Sequence, residues 1–279
     1  MNRIFNIRNT VRNSVLALFA IAAFSACDEV DEADRFVQLP TIESKRNVLI
    51  EEFTGQQCTN CPDAHRGLAA LTEQYGEQLI TVSIHAGGPQ ISIPEDNSFG
   101  YVGLKNNEGQ EYANRWGDLD KVGYPCAVFD RSSEVSLFVS GKWPELIRKE
   151  LEKPTSLSIN LEAHYNNDST KIEITALMLP ETDANAKLQL WVTESNITAV
   201  QIDNGKLIKD YVHNHVFRGS ANGTWGEDIA LESNVYSTAT ATVDVKDIWN
   251  VRNLAVVAFV YNDREGVMQA AECKLCTEE

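Results

Sequence analysis

Residues 48–61 read Val48-Leu-Ile-Glu-Glu-Phe-Thr-Gly-Gln-Gln-Cys-Thr-Asn-Cys61, an apolar run that leads into a Cys-X-X-Cys pair. The run as far as Phe53 predicts a buried strand, and the four residues after it predict a turn. Beyond the pair, apolar residues recur at helical spacing as far as Tyr75, and Gly76 predicts the end of that helix. The sequence therefore predicts that the cysteines stand where a strand turns into an amphipathic helix.

A second apolar run, Leu79-Ile-Thr-Val-Ser-Ile84, predicts another strand after this helix. A strand, a helix and a strand in this order favour parallel pairing and an α/β layer. Residues 126–129 and 135–139 predict two further strands, and Pro154 ends the helix predicted after them. We expect a first domain of the α/β class over residues 46–153.

Beyond Pro154 the hydrophobic pattern changes its period. Apolar residues recur at every second position in several short segments, which are joined by turns rich in Asn, Asp and Gly. Such segments are typical of antiparallel strands with one buried face. The sequence therefore predicts an all-β sandwich over residues 154–279, with half-buried strands.

The cysteine pair has chemical consequences at the start of a helix. Free N–H groups and the helix dipole stabilise an anion there, and the thiol pKa can fall from about 8.5 to between about 3.5 and 7.5. Cys58 is therefore the candidate nucleophile, and Cys61 is the candidate resolving thiol that closes the disulfide and releases a partner. The alternatives are a static disulfide, or half of a zinc site completed by Cys273 and Cys276.

The segment over residues 46–153 resembles thioredoxin. Thioredoxins carry a buried acid six residues before the nucleophile, and Glu52 stands at that spacing. The resemblance implies that Glu52 moves the proton of the resolving cysteine. It also implies that Pro125, within Gly-Tyr-Pro, forms a cis-proline that shapes the substrate groove. Cys126 is then a candidate accessory thiol next to the proline, or a thiol that packs in the core.

The N-terminal segment predicts the location of the protein. Arginines but no acids precede an apolar run from Val15 to Phe24, and small residues stand directly before Cys27. This layout is typical of a bacterial lipoprotein signal peptide, and the run is too short for a membrane span, which takes about 20 residues. We expect residues 1–26 to be removed, Cys27 to carry the lipid, and residues 27–45 to form an acidic tether. The alternative is an ordinary secretory signal.

The net charge of −16 and the absence of any Lys/Arg cluster exclude nucleic acid as an expected partner, because phosphate binding needs a basic surface. No cofactor and no metal are predicted. His213 and His215 alternate on a predicted strand and could begin a metal site, but we favour an exposed polar pair on a sheet face. His85, at a strand end, receives no role.

The whole chain is similar to the 28-kilodalton outer-membrane protein family of the Bacteroidota. The resemblance implies a thioredoxin-like domain followed by an immunoglobulin-like sandwich, and a role as a surface adhesin or receptor. It also implies an outer-membrane lipoprotein exposed on the cell surface, with a periplasm-facing orientation as the alternative. The similar stretches are Val82–Gly87, Tyr124–Arg131, Tyr211–Arg218 and Val256–Asn262.

Two functions follow from these observations. The first is a lipid-anchored thiol–disulfide oxidoreductase that acts on protein thiols or disulfides, in which Cys58 attacks and Cys61 resolves. Glu52 moves the proton and Pro125 shapes the groove. The second is a non-catalytic binding lipoprotein, in which the cysteines only stiffen the turn. A fold by itself does not decide between them.

Overall fold

A computed structural model describes residues 45–98, 100–132 and 134–275 of the 279-residue chain. These residues lie in a single compact unit. The predicted signal peptide, the lipid-accepting Cys27, nearly all of the acidic tether and Cys276 lie outside the described residues. Within the described ranges, no helix has both the length and the apolar character needed to cross a membrane.

Strands dominate the described part of the chain. The α-helices there are α1 (Cys61–Tyr75), α2 (Asn107–Arg115), α3 (Leu119–Val122) and α4 (Trp143–Leu151). The first strands are β1 (Val48–Thr54), β2 (Leu79–His85), β3 (Cys126–Phe129) and β4 (Ser136–Leu137). The later strands are β5 (Leu157–Tyr165), β6 (Lys171–Pro180), β7 (Ala184–Glu194), β8 (Ile197–Asp203), β9 (Lys206–His213), β10 (Val216–Ser220), β11 (Glu227–Leu231), β12 (Ser237–Asp244), β13 (Leu254–Asn262) and β14 (Gly266–Lys274).

The predicted strand–helix–strand unit is present. Strands β1 and β2 pair in parallel, β3 pairs with β1 in the antiparallel sense, and every residue of β1 and β2 is buried. Helix α1 ends at Gly76, whose φ of 60° suits a residue without a side chain. Leu68 of α1 packs with Trp143 and Ile147 of α4 against this sheet. Burying each such side chain contributes about 1.5–3 kcal/mol.

The predicted strand over residues 135–139 is shorter than expected. Only Ser136–Leu137 pairs with β3, and Phe138–Ser140 forms a 3₁₀ turn that ends at Gly141 in the left-handed region. The ring of Phe138 lies 5.1 Å from that of Trp143. The strand ends early because Phe138 turns into the packing between α1 and α4 rather than continuing the ladder.

One sheet crosses the predicted boundary at residues 153/154. Strand β10 pairs in parallel with β2 through Val216 and Ser83, so the strand order is β14-β13-β7-β10-β2-β1-β3-β4, with β11 on β7. The division into two domains stays a prediction. The two predicted parts share a continuous hydrogen-bonded sheet.

The β-rich part contains two packed layers. Strands β12, β6 and β5 form a three-stranded antiparallel sheet, and its apolar face packs on β7 and β13. The prediction of half-buried strands is wrong for β7 and β13, which are buried on both faces over most of their length. Their second face carries Trp191, and Tyr112 of α2 packs on this ring and on Phe217 of the neighbouring β10, which covers that face.

Candidate functional site

Cys58 and Cys61 form a disulfide with their Cα atoms 5.4 Å apart. Cys61 is the first residue of α1, and Pro62 follows at a position where the missing N–H costs nothing. Cys58 is 5% exposed and Cys61 is 0% exposed. The pair therefore stands at the predicted helix start, but both sulfurs are covered. Since the two cysteines are bonded to each other, this state leaves no zinc half-site.

The cover is a hairpin from the β-rich part. Strands β8 and β9 form their own two-stranded sheet, and the turn between them, Asn204-Gly205, has positive φ at both residues. Gln201 is fully buried, and its amide Nε2 donates to the carbonyl oxygens of Gly55 and Cys58 at 3.2 and 3.0 Å. Three backbone N–H groups of the hairpin also donate to the cysteine turn. Ile202 donates to the carbonyl of Gln56, Asn204 to the carbonyl of Thr59, and Gly205 to the hydroxyl of Thr59.

Glu52 lies on the face of β1 that α1 covers. It is fully buried, and Ser83 Oγ donates to its Oε2 at 2.9 Å. Its Oε1 has no hydrogen-bond partner in the described structure and lies 3.4 Å from His65 Nε2. His65 follows Cys61 by four residues, so the two share one face of α1. The carboxylate therefore meets the helix face that begins with the candidate resolving thiol.

His65 has partners on both ring nitrogens. Nε2 lies 2.9 Å from Thr54 Oγ1, and Nδ1 lies 2.9 Å from the hydroxyl of Tyr211 on β9. Burial raises the pKa of Tyr211 to about 12, so this hydroxyl is protonated at neutral pH. The sequence predicted neither contact, although the i,i+4 spacing of Cys61 and His65 was readable.

A cleft of about 400 Å³ opens between α1, β2 and β9. Four of the five histidines of the chain line it: His65, His85, His213 and His215. The rings of His85 and His213 lie 5.4 Å apart, and none of their ring nitrogens has a hydrogen-bond partner in the described structure. Burial lowers the pKa of His213 to about 3 and that of His85 well below its usual value. Both rings are therefore neutral at pH 7.

The prediction that His213 and His215 form an exposed pair on one sheet face is wrong. His213 is the last residue of β9 and is buried, whereas His215 lies outside the strand with φ at 54°. The chain bends there because it leaves the hairpin to begin β10, and the carbonyl of His215 accepts from the N–H of Ser83. Among the described residues, no three His, Cys, Asp or Glu side chains are arranged to hold a metal ion.

The Tyr124–Pro125 peptide bond is cis, as the thioredoxin resemblance implies. Pro125 directly precedes Cys126, which pairs with Phe53, so the proline lies at the end of the sheet where the cysteine turn begins. Cys126 is fully buried in the core that contains Phe53, and burial raises the pKa of its thiol to about 12. Cys273 lies on β14.

Three solved structures are similar to this chain. HBP35 of Porphyromonas gingivalis has a TM-score of 0.60 and 17% identity over 85% of this chain and 79% of its own. A protein from Agrobacterium tumefaciens has a TM-score of 0.51 and 17% identity over 85% of this chain and 97% of its own. A domain of the outer membrane lipoprotein Omp28 from Porphyromonas gingivalis has a TM-score of 0.32 and 22% identity over 45% of this chain and 92% of its own. None of the curated proteins compared with the chain matches it.

The model of one protein family, outer membrane protein Omp28, matches residues 110–279. The match includes β3 to β14, the hairpin over the cysteine turn and the residues of β9 that line the cleft. It begins after Cys58 and Cys61, so the chemistry of the pair has to be argued from its own geometry. Because the match spans more than half of the sequence, the chain belongs to the Omp28 family and is a protein of the outer membrane.

Proposed function

We propose that the protein is a lipid-anchored thiol–disulfide oxidoreductase with a thioredoxin-like unit followed by an immunoglobulin-like sandwich. One observation carries the proposal: a disulfide at the first turn of α1 stands on the helix face that meets a fully buried carboxylate, Glu52. A helix start favours a thiolate at Cys58, and a buried acid is suited to take a proton from Cys61. The parallel β1–α1–β2 unit with an antiparallel β3 supports the same interpretation.

The reaction transfers two electrons to a protein disulfide. The Cys58 thiolate attacks one substrate sulfur, a mixed disulfide forms, and the first substrate sulfur leaves as a thiol after taking a proton. The Cys61 thiol then gives its proton to Glu52 and its sulfur attacks Cys58, which leaves the Cys58–Cys61 disulfide and releases the second substrate sulfur as a thiolate that takes a proton from water. Pro125 borders the groove in which the substrate lies. An envelope reductant that restores the dithiol completes the cycle.

Catalysis requires the hairpin to open, since the sulfurs are covered in the oxidised state. Local opening of one segment costs less than global unfolding. The β8–β9 hairpin lies outside both larger sheets and meets the cysteine turn through polar contacts. We therefore expect a substrate to displace the end of the hairpin that covers the cysteine turn, residues 201–208, while Tyr211 at its base keeps its contact with His65.

Reduction of insulin disulfides by dithiothreitol, with the protein as catalyst, tests the proposal. The wild-type chain and Cys126→Ser should accelerate the reaction, whereas Cys58→Ser should not. In a separate reaction without dithiothreitol, Cys61→Ser should accumulate the mixed disulfide, because no second thiol resolves it. Absence of acceleration by the folded wild-type chain, with no mixed disulfide in Cys61→Ser, would reject the enzyme.

A non-catalytic surface-binding lipoprotein is the second candidate, and the burial of both sulfurs favours it. In that case the disulfide stiffens the turn and the exposed loops contact a protein partner. Both candidates require an anchor, and we propose that Cys27 carries it at the cell surface. Protease treatment of intact cells should cleave the wild-type protein, and Cys27→Ala should lose incorporation of labelled fatty acid. Protection from the protease would indicate a periplasm-facing orientation.

A further inference from the structure

Glu52 is sealed from solvent, and this creates a problem for a catalytic cycle. Its side chain is 0% exposed, β1 and β2 are buried throughout, and the hairpin closes the cysteine turn. A carboxylate that takes a proton in every turnover has to return it to water before the next one. A path for that proton is therefore part of the site.

The described contacts of Glu52 offer one titratable partner. His65 Nε2 lies 3.4 Å from Oε1, the carboxylate oxygen without a hydrogen bond, whereas Oε2 is occupied by the hydroxyl of Ser83. The His65 side chain is 18% exposed and lines the cleft, so one edge of its ring reaches water. Its Nδ1 lies 2.9 Å from the hydroxyl of Tyr211, which lines the same cleft.

The other groups around His65 are poorly suited to the task. His85 and His213 on neighbouring strands face it, but both are buried, which disfavours the protonated ring. On the outer side of α1, Arg66 is held by Asp63 and Asp203 in ion pairs of its own. His65 is thus the imidazole that joins the buried carboxylate to the open cleft.

We propose that His65 carries protons between Glu52 and the solvent of the cleft during thiol–disulfide exchange. The inference rests on the proposed oxidoreductase function and adds a positioning residue to it. Glu52, protonated by Cys61, passes the proton from Oε1 to His65 Nε2. The imidazolium releases its Nδ1 proton to the hydroxyl of Tyr211, which gives its own proton to water. Glu52 is then a carboxylate again, ready for the next cycle, and the imidazole is neutral again.

The test separates the resolving step from the attack of Cys58. Mixed disulfide is formed rapidly with a model disulfide and quenched with acid, and its formation and decay are followed by mass spectrometry between pH 5 and 9. In His65→Gln we expect formation at the wild-type rate and decay about 10-fold to 100-fold slower. Added imidazole should restore the decay, since the cleft is large enough for it. Tyr211→Phe should slow the decay less and leave its pH profile intact.

His164→Gln is the matched control, because His164 is exposed on β5 and remote from the cleft in sequence and contacts. Urea unfolding of each variant checks that the fold is retained. A His65→Gln decay with the wild-type rate and pH profile, in a wild-type chain that does exchange disulfides, would overturn the relay and leave the enzyme standing. A wild-type chain that forms no mixed disulfide would reject the proposed function itself. A slow decay that imidazole does not restore would assign His65 a purely structural role.

Discussion

Glu51 and Glu52 are neighbours on β1 and point to opposite faces of the sheet. Glu51 Oε1 accepts from Arg131 Nε at 2.5 Å, and both side chains are 1% exposed. The Arg131 guanidinium lies over aromatic rings, with the centroids of Tyr261 and Phe259 at 4.4 and 4.8 Å. On this face each buried charge has an opposite charge or a ring face beside it.

The other face of the same strand is built differently. Glu52 is as deeply buried as Glu51, and each leaves one carboxylate oxygen without a hydrogen-bond partner in the described structure, but the ion-pair partner of Glu52 is a histidine rather than an arginine. A cleft and a displaceable hairpin lie beside it rather than a packed aromatic cluster. The two glutamates therefore have different surroundings: Glu51 is paired with an arginine among packed rings, and we propose that Glu52, beside a histidine and a cleft, is the one available for chemistry.

Removing the arginine partner of Glu51 gives the largest expected effect. Arg131→Met leaves Glu51 buried without its partner, and we expect a loss of about 3–5 kcal/mol in the free energy of unfolding. Arg148→Met is the matched control, since its ion pair with Glu152 is exposed on α4 and contributes less than about 1 kcal/mol. Urea unfolding followed by tryptophan fluorescence measures both. Equal losses would show that Glu51 and Arg131 contribute no more than a surface pair.

An isosteric change of Glu52 should have the opposite pattern, a loss of activity without a loss of stability. Glu52→Gln removes the proposed proton acceptor of Cys61, so we expect insulin reduction to fall about 100-fold, with little change in the free energy of unfolding. Glu51→Gln should instead lower that free energy and leave the specific activity of the folded chain unchanged. If both variants lose the same stability and retain the same activity, the two faces do not differ in role.

The neutral histidines of the cleft make stability depend on pH. The pKa of His213 is about 3 in the folded chain and about 6.5 in the unfolded chain, so between these values only the unfolded chain binds the proton. Stability therefore falls as the pH falls from 6.5 towards 3, by about 2 kcal/mol at pH 5. Urea unfolding at pH 7 and pH 5 should show a smaller loss in His213→Gln than in the wild type. His164→Gln should keep the wild-type loss, and identical losses in all three would contradict the buried neutral ring.

Weakening the β8–β9 hairpin gives the smallest expected effect and tests whether the hairpin limits access to the cysteines. Gln201→Ala leaves the carbonyls of Gly55 and Cys58 without their amide partner, which costs about 1–3 kcal/mol of local stability. The disulfide should then react with dithiothreitol about tenfold faster in the folded state. Gln57→Ala, on the same turn but bonded to Pro89 at the surface, should react like the wild type. An unchanged rate in Gln201→Ala would mean that the hairpin does not limit access.

Local signals account for what the sequence predicted. The β1–α1–β2 unit follows from signals that lie close together in the sequence. These are the apolar run before Cys58, the helical spacing of Leu68 and Tyr75, and Gly76 at the helix end. The buried acid was implied by the thioredoxin resemblance, through the six-residue interval between Glu52 and Cys58, and Glu52 is fully buried.

The contacts that define the cleft could not be predicted in this way, because they join distant parts of the chain. His65 meets Tyr211 across 146 positions, and Gln201 reaches Cys58 across 143. Both depend on β10 pairing with β2, which brings the hairpin over α1. No local pattern specifies a parallel pairing of that sequence separation.

In the most direct measurement, the native protein is equilibrated in buffers of increasing dithiothreitol concentration. Thiols are then trapped with a mass-tagged alkylating agent, and folding is monitored by circular dichroism in the same samples. The account predicts that Cys58 and Cys61 become alkylated together, reversibly, while the chain remains folded and Cys126 stays unmodified. A disulfide that opens only in the samples where the fold is lost would contradict it.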